Sequence, residues 1–211
     1  MGHLAASINN FDLQICQSPL DLQKVARLRY QCYRSVDAIR ENEREEFQDL
    51  YDAQANTKSC MVYEDDQLVG SIRACVYAAE LGHLSIPAFE VYKEDIQQAI
   101  GLDKVIVESN RFVITQEKAD SKVLFKVPFR FIVLNINKFD ADYVITAVRE
   151  KHVPLYQRFL TMEPISQPKK YPGINVDMVL MAGNCKKGMS ALCAREPMYA
   201  IPSYEVENYS L

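Results

Sequence analysis

The ten residues Val105-Ile106-Val107-Glu108-Ser109-Asn110-Arg111-Phe112-Val113-Ile114 constrain this chain more than any other segment. Both flanks are apolar and β-branched, the pattern of a strand buried inside a sheet, yet the middle holds a carboxylate and a guanidinium. Burying either charge alone costs several kcal/mol, about enough to unfold a marginal domain, so the two must be paired, hydrated or in use. A desolvated glutamate facing a cleft has its pKa pushed toward neutrality, which suits a general base. A structural ion pair between strands is the competing reading. Strand alternation places Glu108 and Arg111 on opposite faces, so they can share one site only if a β-bulge lies between them.

At 211 residues the chain can build one sizeable core, and no composition shift marks an internal boundary. The net charge of −4 supplies no basic field for nucleic acid. No apolar run reaches the ~20 residues that span a bilayer, and the N-terminus lacks a basic-then-apolar leader pattern. Cys16, Cys32, Cys60, Cys75, Cys185 and Cys193 show no metal-knuckle spacing, and several lie within apolar periodic segments. Together with His3, His83 and His152 they suggest neither a metal site nor a nucleophilic centre. Reduced thiols and a cytoplasmic location are expected.

Strand-like and helix-like segments alternate. Phe11 to Cys16 is expected as a first strand and Asp21 to Ala38 as an amphipathic helix. The charged run Arg40 to Asp52 follows, with Glu41, Glu43, Arg44, Glu45 and Glu46 read as a solvated helix face. Thr57 to Tyr63 and Leu68 to Tyr77 form a hairpin about Glu64-Asp65-Asp66-Gln67. A helix from Pro87 to Ile100 closes at Gly101. After the central strand comes a long helix, Ser121 to Phe139, with Pro128 as a kink. Tyr143 to Val148 is a strand, Val153 to Leu160 a helix opened by Pro154, and Asn175 to Ala182 the last strong strand. Residues 1–184 are read as one domain, with 185–211 a tail that is loosely packed or wraps it.

This order of elements resembles that of the Gcn5-related N-acyltransferases. The likeness implies a mixed α/β (α+β) sheet of GNAT type, flanked by helices on both faces, splayed between its central parallel strands to admit a pantetheine arm. Acetyltransferases of this fold cradle the pyrophosphate of coenzyme A on a glycine-rich loop before the long helix. Here that stretch is Gln116-Glu117-Lys118-Ala119-Asp120-Ser121, without glycine and with two acids that repel a pyrophosphate. The expected donor is therefore acyl-phosphopantetheine on an acyl carrier protein, with acyl-CoA as the other possibility and no permanently bound cofactor.

Four further motifs occur in order: Arg29-Tyr30-Gln31-Cys32-Tyr33, Asp49-Leu50-Tyr51-Asp52, Gly70-Ser71-Ile72-Arg73 and Glu108-Ser109-Asn110-Arg111. They resemble the signature of acyl-homoserine-lactone synthases. Those enzymes carry a tryptophan after the first motif, whereas this chain has no Trp. The run Lys151-His152-Val153-Pro154-Leu155-Tyr156-Gln157-Arg158-Phe159-Leu160, followed by Pro164-Ile165 and Tyr171-Pro172, is more similar to the long-chain N-acyl amino acid synthases. Met162-Glu163 stands where an aromatic is expected.

The resemblance implies an acyltransferase that moves a medium or long acyl group from acyl carrier protein to the amine of an amino acid. Glu108 would act as base, directly or through a water. Tyr156 would protonate the leaving thiolate, its competing reading being a core tyrosine. Arg73 and Arg111 would hold an acceptor carboxylate or orient Glu108. Arg29, Asp49 and Asp52 would form a charged cluster under the acceptor pocket, and Tyr33 would contact the substrate. Lys118, Lys122, Lys126 and Arg130 recur every four residues and would offer a basic stripe to the acidic carrier protein. Leu124, Phe125, Val127, Phe131, Ile132 and Leu134 supply the core side of that helix, and some would line an acyl tunnel. An autoinducer synthase using S-adenosylmethionine and a non-catalytic carrier-protein binding module are the other classes in play.

Overall fold

A computed structural model describes residues 6–211, so His3 lies outside the described residues. In chain order the elements are β1 (Ala6–Ile8), β2 (Phe11–Ile15), α1 (Pro19–Arg34), β3 (Thr57–Glu64), β4 (Gln67–Tyr77), α2 (Phe89–Ala99) and β5 (Ile106–Ile114). They continue with α3 (Lys122–Lys126), α4 (Phe129–Lys138), β6 (Tyr143–Arg149), α5 (Val153–Leu160), β7 (Glu163–Pro164), β8 (Lys169–Lys170), β9 (Asp177–Asn184), α6 (Cys185–Arg195) and α7 (Ser203–Asn208).

The strands form one sheet in the order β1-β2-β3-β4-β5-β6-β9-β7, with β8 also on β9. Neighbours on this path run antiparallel except the central β5 and β6, which are parallel. Their parallel pairing is confined to Ile106 with Tyr143, Val107 with Val144 and Glu108 with Ile145. Beyond Glu108 the two strands part, and the facing backbone edges of 109–114 and 146–149 pair with no strand of the sheet. This splay is the opening that the GNAT likeness implied. Helices cover both faces. Val25 of α1 packs with Cys16 and Met61, and Tyr92 and Ile96 of α2 with Cys75, Ile106 and Ile145. On the other face α3 to α6 bury Leu124, Phe129, Phe131, Tyr156 and Leu192 against Leu13, Val62, Ile72 and Val107.

Local chemistry accounts for the boundaries. Ser18 and Asp21 cap α1 reciprocally, with Pro19 in its first turn. The helix ends at Arg34 rather than Ala38, because Asp37 takes a left-handed φ of 51°. Glu41, Glu43, Arg44 and Glu45 are exposed as expected, but on an irregular loop and not on a helix face. The long helix expected over 121–139 is two helices, interrupted at Pro128. At the break the Arg130 N–H turns to the Val127 carbonyl, and the Lys126 carbonyl accepts the Tyr199 hydroxyl at 2.9 Å. From Cys185 onward Asn184 caps α6, and Tyr199 and Tyr209 are buried in the core. The six cysteines are free thiols. No helix of the described residues is long and apolar enough to cross a membrane.

Candidate active site

The site is built on a β-bulge in β5. Arg73 of β4 faces Asn110 and Ser71 faces Val113, so Arg111 and Phe112 together oppose Ile72. Arg111 supplies the kink with a left-handed φ of 52°, a strained value for a residue carrying Cβ. The extra residue cancels strand alternation and brings Arg111 to the face of Glu108 and Asn110.

On that face, cross-strand neighbours form a charged ladder. Ser59 pairs with Arg73 and Arg73 with Asn110, while Thr57, Cys75 and Glu108 form the next rung. The Arg73 Nε donates to Asn110 Oδ1 at 2.6 Å, and its two terminal nitrogens donate to Asp49 at 2.7 and 3.0 Å. Arg111 donates to the same Asp49 carboxylate at 2.6 Å and lies 4.4 Å above the Phe47 ring. Asp52 joins Arg73 at 2.9 Å and Arg29 at 2.8 Å, and Arg29 reaches Ser59 at 2.7 Å. The D-x-x-D spacing has a backbone reason. Asp49 accepts the Tyr51 N–H and Asp52 the Asp49 N–H, reciprocal caps of the 3₁₀ turn Leu50–Ala53.

Glu108 ends this chain of contacts and is fully buried. Its Oε1 accepts the Asn110 amide at 2.8 Å and its Oε2 the Ala88 N–H at 2.8 Å. Burial pushes its pKa above the ordinary value, while Asn110, the Ala88 N–H, Arg73 and Arg111 oppose that rise. Three guanidiniums thus face three carboxylates, and the buried cluster is neutral when Glu108 is ionised. Arg73 and Arg111 hold Asp49 well below its ordinary value despite its burial. Arg29 and Arg73 also lower that of Asp52.

Two cavities meet here. The splay between β5 and β6 opens a cleft of about 500 Å³, with Tyr33, Asn110, Arg111, Phe125 and Tyr156 in its walls. A second pocket of about 230 Å³ is lined by Phe47, Asp49, Glu90, Arg111 and Tyr171. Arg111 and Tyr171 belong to both. Glu108 lies behind these walls, with Asn110 between it and the cleft. Tyr156 is buried with its pKa pushed up, which keeps it a protonated donor. Tyr33 stacks edge-on against Phe47 at 5.1 Å, extending the wall from the cleft toward the polar pocket.

Arg29, Tyr33, Asp49, Asp52, Arg73, Glu108, Arg111 and Tyr156 are therefore gathered around the splay, with Arg29, Asp52 and Arg73 beneath the pocket and Asp49 in its wall. The basic stripe is not gathered. Pro128 interrupts the helix, Lys118 pairs with Glu64, Lys126 with Glu196, and Arg130 is buried on Glu205. These residues cannot present one exposed row, because the segment after Cys185 covers part of it. Asn110, Phe47 and the Ala88 N–H also shape the site without a role having been read for them from sequence, and Tyr171, quoted only within a family motif, joins them. Two had a visible signal: Asn110 lies between Glu108 and Arg111, and Tyr171 belongs to the Tyr171-Pro172 motif. Among the described residues no group of three His, Cys, Asp or Glu side chains is placed to hold a metal ion.

The family model described as N-acyl amino acid synthase FeeM matches residues 24–184. The solved structure of FeeM, an N-acyl amino acid synthase from uncultured soil microbes, superposes with a TM-score of 0.71 at 16% identity, covering 85% of this chain and 93% of that one. BjaI, a CoA-dependent acyl-homoserine lactone synthase, gives 0.61 at 16% identity over 86% of this chain and 82% of its own. An acyl-CoA N-acyltransferase from Pseudomonas aeruginosa gives 0.55 at 14% identity over 82% of this chain and 98% of its own. No curated protein matches by sequence. At such identities the structural likenesses establish the GNAT-like acyltransferase fold.

Proposed function

The chain belongs to the FeeM family of N-acyl amino acid synthases and is an acyltransferase, and on that premise we propose that it moves a fatty acyl group from a carrier-protein thioester to the amine of an amino acid. The observation that carries this reading is the meeting of an elongated cleft and a small polar pocket at Arg111 and Tyr171, beside a buried carboxylate. The cleft suits a pantetheine arm with its acyl group, and the pocket suits a zwitterion. Its carboxylate is drawn to Arg111 and its ammonium to Asp49 and Glu90.

The reaction follows from those positions. The ammonium passes a proton through a water to Glu108, whose burial makes it a stronger base than a surface glutamate. The free amine attacks the thioester carbonyl, a C–N bond forms, and charge collects on the carbonyl oxygen. Backbone N–H groups on the free edge of β5 beyond Glu108 receive that charge. The C–S bond breaks, Tyr156 protonates the thiolate, and the tyrosine is refilled by the proton lost from nitrogen. Tyr156→Phe is expected to lower kcat about 10²-fold with an alkyl thioester and much less with an acidic aryl thioester, which leaves without a proton. Equal losses with both donors would remove Tyr156 from the acid role.

Carrier protein as donor is supported by the acids in 116–121 and by cations at the cleft mouth. Arg149 and Lys151 line that mouth, and Lys151 is exposed. They replace the stripe as the docking charges, and the six free thiols fit a reducing cytoplasm. Replacing both by Glu is expected to raise KM for acyl carrier protein about tenfold, with little change for acyl-CoA, an effect that fades at high salt. The defining experiment offers the purified protein acyl carrier protein and acyl-CoA separately, with a mixture of amino acids, and identifies products by mass. N-acyl amino acids formed faster from the carrier protein support the reading. Product from acyl-CoA alone would refute the donor assignment.

A further inference from the structure

Aromatic side chains wall the apolar side of the cleft. Phe112 and Phe125, which line it, pack against Phe129 at 5.2 and 5.6 Å. Behind Phe129 lies a small apolar cavity of about 30 Å³, and Thr146 borders both spaces. Its far wall is made by Met189, Leu192 and Tyr199. All three belong to residues 185–211, outside the segment matched by the family model.

Hydrogen bonds and ion pairs anchor the segment that carries this wall. Tyr199 donates to the Lys126 carbonyl at 2.9 Å, and Tyr209 to Asn135 at 2.8 Å. Arg130 donates to both carboxylate oxygens of Glu205 at 2.8 Å and to the Met198 carbonyl. Lys126 pairs with Glu196, and Lys138 donates to the Val206 carbonyl at 3.1 Å. Two of the four cations expected to face a partner protein, Lys126 and Arg130, instead fasten the chain's own C-terminal segment. A cavity of this size holds about one water-sized group, so an alkyl tail arriving past Phe129 meets a stop and not a channel.

We propose that residues 185–211 form the length stop for the acyl chain, with Leu192 and Met189 as the residues that set which chain is preferred. This rests on the acyl-transfer reading above and adds the determinant of donor length. Leu192→Ala lengthens the cavity and Met189→Phe shortens it. Each methylene gained or lost from an apolar contact is worth about fourfold in binding, so the preferred chain should move by about one or two methylenes in opposite directions.

The test has two readouts on the whole protein. Relative kcat/KM is measured for donors from octanoyl to stearoyl. Separately, saturated fatty acids of the same lengths displace cis-parinaric acid from the purified protein without any turnover. Opposite shifts of the length preference in the two variants support the stop. Unchanged preference in variants that keep their fold overturns it, and leaves the segment as a cover for the core. Absence of turnover with shifted displacement would sink the acyl-transfer reading while sparing the stop. Should Met189→Phe fail to fold, Met189→Leu against Leu192→Ala keeps the comparison.

Discussion

Glu108→Gln is expected to fold, to bind the acyl donor with nearly the KM of the unaltered enzyme, and to lose about 10²–10⁴-fold in kcat. The side chain keeps its shape, and its oxygen still accepts the Ala88 N–H. Its new amide then confronts the Asn110 amide, and Asn110 cannot turn because Arg73 Nε holds its oxygen at 2.6 Å. That clash of donors costs about 1–3 kcal/mol of stability, well short of unfolding a domain of this size. In the unaltered enzyme the rate should rise with pH as Glu108 loses its proton. Because burial raises its pKa, the rise lies above the range of an ordinary glutamate. Steady-state kinetics against pH, with a melting curve for each variant, checks both. A variant retaining most of its kcat would remove Glu108 from the chemistry.

Removing Arg73 should damage stability more than any single change in the cluster. It is fully buried and is the common partner of Asp49, Asp52 and Asn110. Arg73→Met fills much of the space but leaves two carboxylates short of a counter-charge, at a cost of about 3–5 kcal/mol and a Tm lower by about 10 °C. Asp49 and Asp52 have folded pKa values below the ordinary 3.8. Their stabilisation is therefore full above that value and is lost as pH falls through the depressed folded values. In Arg73→Met the depression shrinks, so the acid loss should be shallower than in the unaltered protein. Urea unfolding from pH 7 downward measures both effects, and an unchanged slope would mean that Arg73 does not set the carboxylates.

Glu108 and Arg111 were legible because their neighbours are so apolar. Two charges within β5 left few options, and a bulge was the condition for their sharing a site. The bulge is present, carried by the φ of Arg111 itself. Asp49 and Asp52 were legible only through the family resemblance, and the capping box they form explains their spacing. The basic stripe failed for a reason outside any local window. Glu196, Met198 and Glu205 lie about seventy residues from Lys126 and Arg130 and meet them only through tertiary docking. Tyr171 was visible only within a motif, and its place at the site was out of reach because it lies on a loop that only the folded sheet brings to the splay. Pro128 was read as a kink, and the structure goes further by ending one helix and starting another.

The most direct test of the central claim is mass spectrometry of lipid extracts from bacteria expressing the chain, beside cells expressing Glu108→Gln. The expected result is a new N-acyl amino acid that disappears in the variant, which would identify the acyl length and the acceptor at once. An acyl lactone in its place, or an N-acyl amino acid that persists undiminished with Glu108→Gln, would contradict the account.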